Sequence, residues 1–150
     1  MVNQQLQREF GRRIGEVARL WRGTIDRELK PMGLSFMQWL TLSQLAECGE
    51  ALVQKELAAR LGMEGPAMVA ILDRLVRAGL VERRVSHNDR RANTVHLTQS
   101  GEAMLVTAEQ ALIKGRQKLL GGLHEATLSN TAKVLEAIIE RARKPRELNT

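Results

Sequence analysis

Apolar residues recur at helical spacing along the first fifty positions of this chain. One stripe is made by Phe10, Ile14, Val17, Trp21, Ile25 and Leu29, which predicts a long first helix. Pro31 and Gly33 end it. A second helix is predicted from Ser35, its expected N-cap, to about Cys48, before Gly49. Its inward positions are predicted to be Phe36, Trp39, Leu40, Leu42 and Leu45.

The pattern of residues 54–80 predicts two helices joined by a tight turn. Ala58 is small where a second helix must cross closely, and Gly62 can take the left-handed conformation that ends a helix. Pro66 suits the first turn of the next helix and Gly79 its end. The inner face of that helix is predicted to carry Met68, Ile71, Leu72 and Leu75. This pattern favours a helix-turn-helix, and an ordinary helical hairpin is the alternative.

Two short β-prone runs follow, Val81 to Val85 and Thr94 to Leu97, separated by polar residues. They predict a hairpin with a polar, basic tip, and between Glu82 and Arg91 this hairpin carries four arginines, Arg83, Arg84, Arg90 and Arg91. Arginines on a strand pair suit contact with DNA, where the guanidinium pairs with phosphate or enters a narrow minor groove. A solvated charged turn is the alternative.

Two more helices are predicted beyond the hairpin. One runs from about Gly101 to Leu120 after Thr98, a plausible N-cap, with apolar residues at Met104, Leu105, Ala108, Leu112 and Leu119. Gly121 and Gly122 break it, and the last runs from about Thr127 to Ala142 with Leu128, Leu135, Ile138 and Ile139. The fold class is therefore mainly α with a small β wing, in which a winged helix-turn-helix is flanked by long terminal helices. Because the winged unit covers only part of them, we expect the first and last helices to pack against a second copy.

Charge and cysteine content limit the kinds of partner and the cellular compartment that we expect. Twenty-three Lys and Arg against 17 Asp and Glu give a net charge of +6 and favour a polyanionic partner. The chain has a single cysteine, Cys48, no secretory signal pattern and no apolar run near the roughly 20 residues of a membrane helix. We therefore expect a cytoplasmic protein that does not enter a membrane.

Enzyme chemistry has little support in the sequence. There is no His-Glu-x-x-His, no phosphate-binding glycine loop and no cysteine pair for zinc. The three histidines, His87, His96 and His124, show no ligand spacing. We predict no catalytic residue, metal or cofactor. A basic module for RNA or a membrane surface is the rival function, but the four Trp and Phe residues all fall on apolar helix faces, which disfavours RNA stacking.

The chain resembles the MarR family of bacterial regulators over nearly its whole length, and within it the SlyA branch. The resemblance is carried by Arg19-Leu20-Trp21-Arg22, Leu29-Lys30-Pro31, Trp39-Leu40-Thr41-Leu42, Leu61-Gly62, Leu72-Asp73, Gly79-Leu80, Asp89-Arg90-Arg91 and Leu97-Thr98. It implies a triangular dimer on double-stranded DNA, with recognition helices in successive major grooves and wing tips in flanking minor grooves. Arg91 matches the wing arginine that inserts there, and Asp89 the residue that fixes its orientation.

The resemblance and the basic pattern together predict a DNA-binding set, which comprises Gln54, Gly65, Pro66, Ala67, Met68, Ala70, Arg74, Arg83, Arg84, His87, Arg90 and Arg91. One departure stands out, because family members usually place Ser and Arg on the exposed start of the recognition helix. Gly65, Pro66, Ala67 and Ala70 cannot supply the bidentate hydrogen bonds that discriminate bases. We therefore expect DNA shape to carry much of the specificity.

Domain boundaries and an effector site complete the expectations. We predict one MarR-type domain over 1–150, with a winged unit at about 35–98 and dimerisation helices at about 1–30 and 101–144. SlyA-like relatives release DNA when small aromatic carboxylates bind between the winged unit and the dimer helices. The matching positions here are Arg19, Trp21, Trp39 and Ser43.

Overall fold

The computed structural model describes residues 1–85 and 93–144, and over those ranges the chain forms six α-helices, a 3-10 turn and three short strands. In chain order these are α1 (Gln4–Leu29), the 3-10 turn (Lys30–Met32), α2 (Phe36–Cys48), β1 (Leu52–Val53), α3 (Gln54–Arg60), α4 (Gly65–Arg77), β2 (Val81–Val85), β3 (Asn93–Leu97), α5 (Gln99–Leu120) and α6 (Glu125–Arg143). The predicted fold class, mainly α with a small β wing, is confirmed.

The chain forms two compact units. The first, residues 1–116, holds the helix-turn-helix, the sheet, α1 and most of α5; the second, residues 117–150, holds the end of α5 and α6. No residue of α6 is buried, and its apolar side chains at Val134, Leu135, Ile138 and Ile139 are all exposed. The predicted division into a winged unit and dimerisation helices within one domain stays a prediction.

Capping residues set the ends of the first two helices. Asn3 Oδ1 accepts from the amide of Gln5 at 2.8 Å, so α1 begins at Gln4, six residues before the first apolar position of its stripe. Ser35 and Gln38 form a capping box at the start of α2, as the Ser35 prediction requires. Gly33 and Gly49, with φ of +72° and +65°, end the 3-10 turn and α2 in the left-handed conformation.

The core of the first unit lies between α1, α2, α3, α4, β3 and α5. Its fully buried side chains include Ile25, Leu29, Leu42, Leu57, Met68, Leu72, Leu75, Val95 and Leu112. Of the inward residues predicted in α2, Leu42 and Leu45 are buried, whereas Phe36, Trp39 and Leu40 are only half-buried. Thr41, absent from the prediction, is fully buried, and its hydroxyl is satisfied there because it donates to the carbonyl of Met37 at 2.7 Å.

The corner between α3 and α4 follows the predicted helix-turn-helix. Gly62 has φ of +62°, and the amide of Met63 donates to the carbonyl of Ala58 at 2.9 Å. Ala58 is buried where the two helices meet. Pro66 lies in the first turn of α4, and Gly79 follows its end with φ of +72°. Glycine suits both positive-φ sites because it has no Cβ to clash with the backbone.

The sheet has the order β1-β3-β2, with both pairings antiparallel. The β2–β3 hairpin is the predicted wing, and its register pairs Arg83 with Val95 and Arg84 with Thr94. The two-residue strand β1 was not predicted, because two residues are too few to show an alternating pattern. It pairs Leu52 with Val95 and places the start of α3 against the base of the wing.

The start of α5 is anchored on the turn that follows α4. Thr98 Oγ1 accepts from the amide of Gly101 at 3.1 Å, which confirms the predicted N-cap, and donates to the carbonyl of Gly79 at 2.6 Å. The amide of Thr98 also donates to the carbonyl of Leu80 at 3.1 Å. Gly101 packs so closely here that a Cβ at its position would lie 2.2 Å from the Leu80 carbonyl oxygen.

Candidate nucleic-acid interface

Helix α4 has one buried and one exposed face. Met68, Leu72 and Leu75 are buried, whereas Pro66, Ala67, Ala70 and Arg74 are exposed and, by helical periodicity, share the opposite side. We call these four exposed residues the reading face. Arg74 is the only member that carries a hydrogen-bonding side chain, so the face is smooth and small at its N-terminal end.

Met68 occupies a different place from the one predicted for it as a DNA contact. Its side chain is fully buried in the core with Leu72 and Leu75. A base cannot reach it while the core is intact, so its inclusion among the DNA contacts is wrong and its inner-face assignment is correct. Gln54, at the start of α3, is half-buried, and Gly65 is exposed.

An ion pair joins α4 to the wing. Arg83 Nη1 on β2 donates to Asp73 Oδ1 on α4 at 2.6 Å, and Arg83 Nη2 points to the carbonyl of Val69 at 3.4 Å. The Arg83 side chain is 27% exposed, and its Nε is buried without a hydrogen-bond partner among the described residues. This arginine therefore serves first to fix the wing against α4, and only the N–H groups that these two contacts leave over are available for the predicted phosphate contact.

Arg84, the next residue on β2, has a more open environment. Its guanidinium pairs with Glu82 on the same strand, and its side chain is 61% exposed. An exposed pair of this kind contributes about 0 to 1 kcal/mol, so phosphate can replace the carboxylate at little cost. The structure thus separates two neighbouring arginines that the sequence treats alike.

Four predicted residues of the wing tip lie outside the described residues: His87, Asp89, Arg90 and Arg91. In the sequence they fall between the end of β2 at Val85 and the start of β3 at Asn93. The predicted minor-groove contact of Arg91 and the orienting role of Asp89 stay predictions.

The four residues predicted to bind an effector line neither of two cavities described in the first unit. Trp21 and Trp39 are half-buried against the core, Ser43 is half-buried and Arg19 is exposed. One cavity, of about 410 Å³, lies between the end of α2, β3 and the start of α5, with Glu50, His96 and Glu102 in its lining. The other, of about 580 Å³, lies beside α4 and is lined partly by Arg27, Lys30 and Arg74.

A metal site and a membrane-spanning helix are both absent from the described part of the chain. Over residues 1–85 and 93–144, no three His, Cys, Asp or Glu side chains are grouped so as to hold a metal ion. Across the same ranges no helix combines the length and apolar character needed to span a bilayer. The most prominent features of the described surface are the reading face of α4, the strand β2 with its two arginines and the basic cleft beside α4.

Comparison with known proteins agrees with this geometry. The MarR family model matches residues 32–92, a range that begins at the last residue of the 3-10 turn and ends just before β3. The transcriptional regulator PA3341 is 33% identical, with a TM-score of 0.79 over 91% of this chain and 99% of that one. A cysteine-to-serine mutant of MarR from E. coli, solved with operator DNA, is 27% identical, with a TM-score of 0.78 over 87% and 93% of the two chains.

A third structure, CouR from Rhodococcus jostii RHA1 bound to p-coumaroyl-CoA, is 22% identical. Its TM-score is 0.78 over 91% of this chain and 95% of that one, a likeness of fold alone. The family model, the 33% identical regulator and the helix-turn-helix with its wing lead to one conclusion. This chain belongs to the MarR family of DNA-binding transcriptional regulators, which are not enzymes.

Proposed function

We propose that this chain acts as a homodimer on a pseudo-palindromic operator, with each reading face in a major groove and each wing in a flanking minor groove. The half-site centres would lie about one helical turn, roughly 10 base pairs, apart. The proposal rests on the resemblance described above, on the net charge of +6 and on the exposure of α4 next to a basic strand.

The homodimer proposal rests on the apolar stripe of α1, whose two halves differ in burial. Its C-terminal half is buried within the first unit, with Ile25 at 2% exposure and Leu29 at 0%. Its N-terminal half has no cover, and Phe10, Ile14 and Val17 are 40%, 38% and 59% exposed. A continuous apolar stripe that ends its burial midway marks a surface for another chain. In the second unit, α6 independently exposes Leu135, Ile138 and Ile139.

Specificity in this proposal rests more on DNA shape than on base contacts. Ala67 and Ala70 on the reading face can touch a thymine methyl group but offer no side-chain hydrogen bond to a base edge. Narrow A·T-rich minor grooves concentrate negative potential, and Arg91 would read that potential at the flanks. A mismatch at a central position should then cost less than the roughly 1–3 kcal/mol typical of a directly read base pair.

The test is quantitative binding to a panel of single-substitution duplexes derived from sites selected out of random DNA. We expect small losses of affinity for substitutions at the central positions and large losses for substitutions in the A·T-rich flanks. The variant Ala70→Arg should create a new preference, for guanine, at one position of each half-site, because arginine binds guanine in bidentate fashion. Steep central losses with flat flanks would show that direct readout dominates.

The alternative function is a basic module without sequence specificity. Duplex DNA, single-stranded RNA and anionic vesicles compared at one salt concentration separate the two. Equal affinity for scrambled and selected duplexes, or tighter binding to RNA or vesicles, would favour the module and contradict the operator proposal.

Salt dependence should distinguish the two neighbouring arginines of β2. Arg84→Gln is expected to reduce the slope of log K against log salt by about 0.9 for each phosphate that the arginine neutralises. Arg83→Gln should leave the slope nearly unchanged, because its guanidinium is held by Asp73, but should lower the free energy of unfolding by about 1 kcal/mol. Binding isotherms from about 50 to 200 mM salt measure the slopes, and denaturant unfolding measures the stability. A larger slope change for Arg83→Gln would place that arginine on phosphate.

We further propose that a small aromatic carboxylate releases the protein from DNA, as in the SlyA branch that the sequence resembles. The resemblance assigns this site to Arg19, Trp21, Trp39 and Ser43. CouR shows an aromatic acyl group bound by one protein of this fold. Titration with salicylate at millimolar concentration should quench tryptophan fluorescence and weaken operator binding. If neither signal changes, control by such an effector is wrong for this chain.

The proposed cellular role is that of a cytoplasmic repressor. Repression follows from an operator that overlaps a promoter, and a reporter fused to the selected site should gain expression when the regulator is deleted. Lower expression on deletion would make the protein an activator instead.

A further inference from the structure

The cleft of about 580 Å³ beside α4 is formed by four elements of the first unit. Arg27 comes from the last turn of α1, Lys30 from the 3-10 turn and Arg74 from α4, and the start of α2 contributes Ser35 and Gln38. Arg27, Lys30 and Arg74 are exposed, so their charged ends are accessible from solvent. The fold therefore brings Arg74 to the same concave surface as Arg27 and Lys30, which precede it by more than forty residues.

The carboxylate that lines this cleft already accepts a hydrogen bond from the backbone. Among the described residues that line the cleft, Asp26 is the only acidic one, and its Oδ1 accepts from the amide of Phe36 at 2.6 Å, at the first turn of α2. Arg27 donates to the hydroxyl of Thr24, a neutral group, at 3.1 Å. Over residues 1–85 and 93–144 none of the three cations forms an ion pair. The cleft thus has an excess of positive charge that the described carboxylates do not balance.

Three amides at the start of α2, those of Ser35, Phe36 and Gln38, are already hydrogen-bonded within the chain. The Ser35 amide donates to Gln38 Oε1 at 2.8 Å, the Gln38 amide donates to Ser35 Oγ at 3.2 Å, and the Phe36 amide is bound to Asp26. With these three amides occupied, the charged donors that line the cleft are the guanidinium groups of Arg27 and Arg74 and the ammonium group of Lys30. These bind phosphate through charge-assisted hydrogen bonds.

The cleft lies on one flank of α4, and the wing lies on the other. Asp73 and Val69 face β2 through their contacts with Arg83, whereas Arg74 belongs to the reading face and borders the cleft. A major groove is about 12 Å wide, close to the 10–12 Å diameter of a helix with its side chains. A helix in the groove therefore has a phosphate backbone along each flank.

We propose that this cleft binds a phosphodiester group of the operator backbone, on the flank of α4 opposite the wing, through Arg27, Lys30 and Arg74. The inference rests on the proposed function and extends it, because it adds the end of α1 and the 3-10 turn to the DNA-binding surface. Phosphate contacts fix the register of a protein on the duplex without reading its sequence. The cleft would thus set the depth and angle at which the reading face meets the bases.

The test compares the double variant Arg27→Gln/Lys30→Gln with the matched control Arg12→Gln/Lys114→Gln. The control also removes one arginine and one lysine, both exposed and without an ion pair among the described residues. The cleft variant should reduce the slope of log K against log salt by about 0.9 per protomer relative to the control. Its order of preference among single-substitution duplexes should stay that of the wild type.

A second arm separates backbone phosphate from a free anion. Without DNA, inorganic phosphate is titrated while the amide resonances at the start of α2 are followed by NMR. Equal slopes for the cleft variant and the control, with phosphate-induced shifts that only the cleft variant loses, would overturn backbone binding and leave an anion site for a free ligand. Equal slopes with no such shifts would overturn the site altogether. Were the wild type to bind no duplex specifically, the proposed function would fail, and the phosphate titration would still decide the cleft.

Discussion

The double variant Ile14→Glu/Val17→Glu is expected to be monomeric and to lose about a hundredfold or more in affinity for a duplex with two half-sites. Both residues lie on the half of the α1 stripe that the first unit leaves uncovered, so glutamate there does not disturb the core. In a dimer the same positions would bury four uncompensated carboxylates, which is strongly unfavourable. Loss of the second binding module removes an avidity of roughly 10²- to 10⁴-fold.

Light scattering at micromolar concentration measures the mass, and binding to duplexes with one and two half-sites separates assembly from DNA contact. The control Arg8→Glu/Arg12→Glu changes the charge more strongly on the same helix but on the other side of the stripe. It should remain dimeric. A glutamate variant that keeps the wild-type mass and affinity would show that α1 does not form the interface.

Gly101→Ala is expected to lower the free energy of unfolding by about 2–3 kcal/mol, at the upper end of typical overpacking costs. The added Cβ would lie 2.2 Å from the Leu80 carbonyl oxygen and 2.7 Å from Leu97 Cδ1. The backbone at Leu80 has little freedom to retreat, because its carbonyl also accepts from the Thr98 amide. The start of α5 would have to move away from the turn after α4.

Gly23→Ala provides the comparison for this substitution. Gly23 is also helical, but its Cβ would meet nothing within 4 Å. Helix propensity alone should then raise the free energy of unfolding by up to about 1 kcal/mol. Denaturant unfolding of both variants measures the difference. Equal stabilities for the two alanine variants would mean that the close packing at Gly101 relaxes without cost.

Long amphipathic helices were predictable because their period is set by one strong constraint, burial of an apolar stripe. The predicted ends at Ser35, Gly49, Gly62 and Gly79 are confirmed, since capping and positive φ act within a few residues. The polar beginning of α1 and the two-residue β1 were missed. Residues 4–9 contain one apolar residue, Leu6, which is too little for a pattern, and β1 exists only because β3 pairs with it.

The candidate site was less predictable than the fold. Counting arginines on the wing could not show that Asp73, ten residues earlier, holds Arg83 while Arg84 stays exposed. Periodicity placed Met68 on the inner face, and that alone was reason to exclude it from DNA contact. The basic cleft had no sequence signal, because Arg74 joins Arg27 and Lys30 only through the packing of α1, α2 and α4.

The order of the sheet has a consequence for the growing chain on the ribosome. Strand β1 precedes the helix-turn-helix, but its partner Val95 lies about forty residues downstream of Leu52. At a synthesis rate of about 5–20 residues per second, several seconds pass between the emergence of the two strands. During that interval α3 and α4 can form from local contacts, while the edge of β1 has no strand to pair with. The sheet of the winged unit can therefore be completed only after β3, its last strand, has been synthesised.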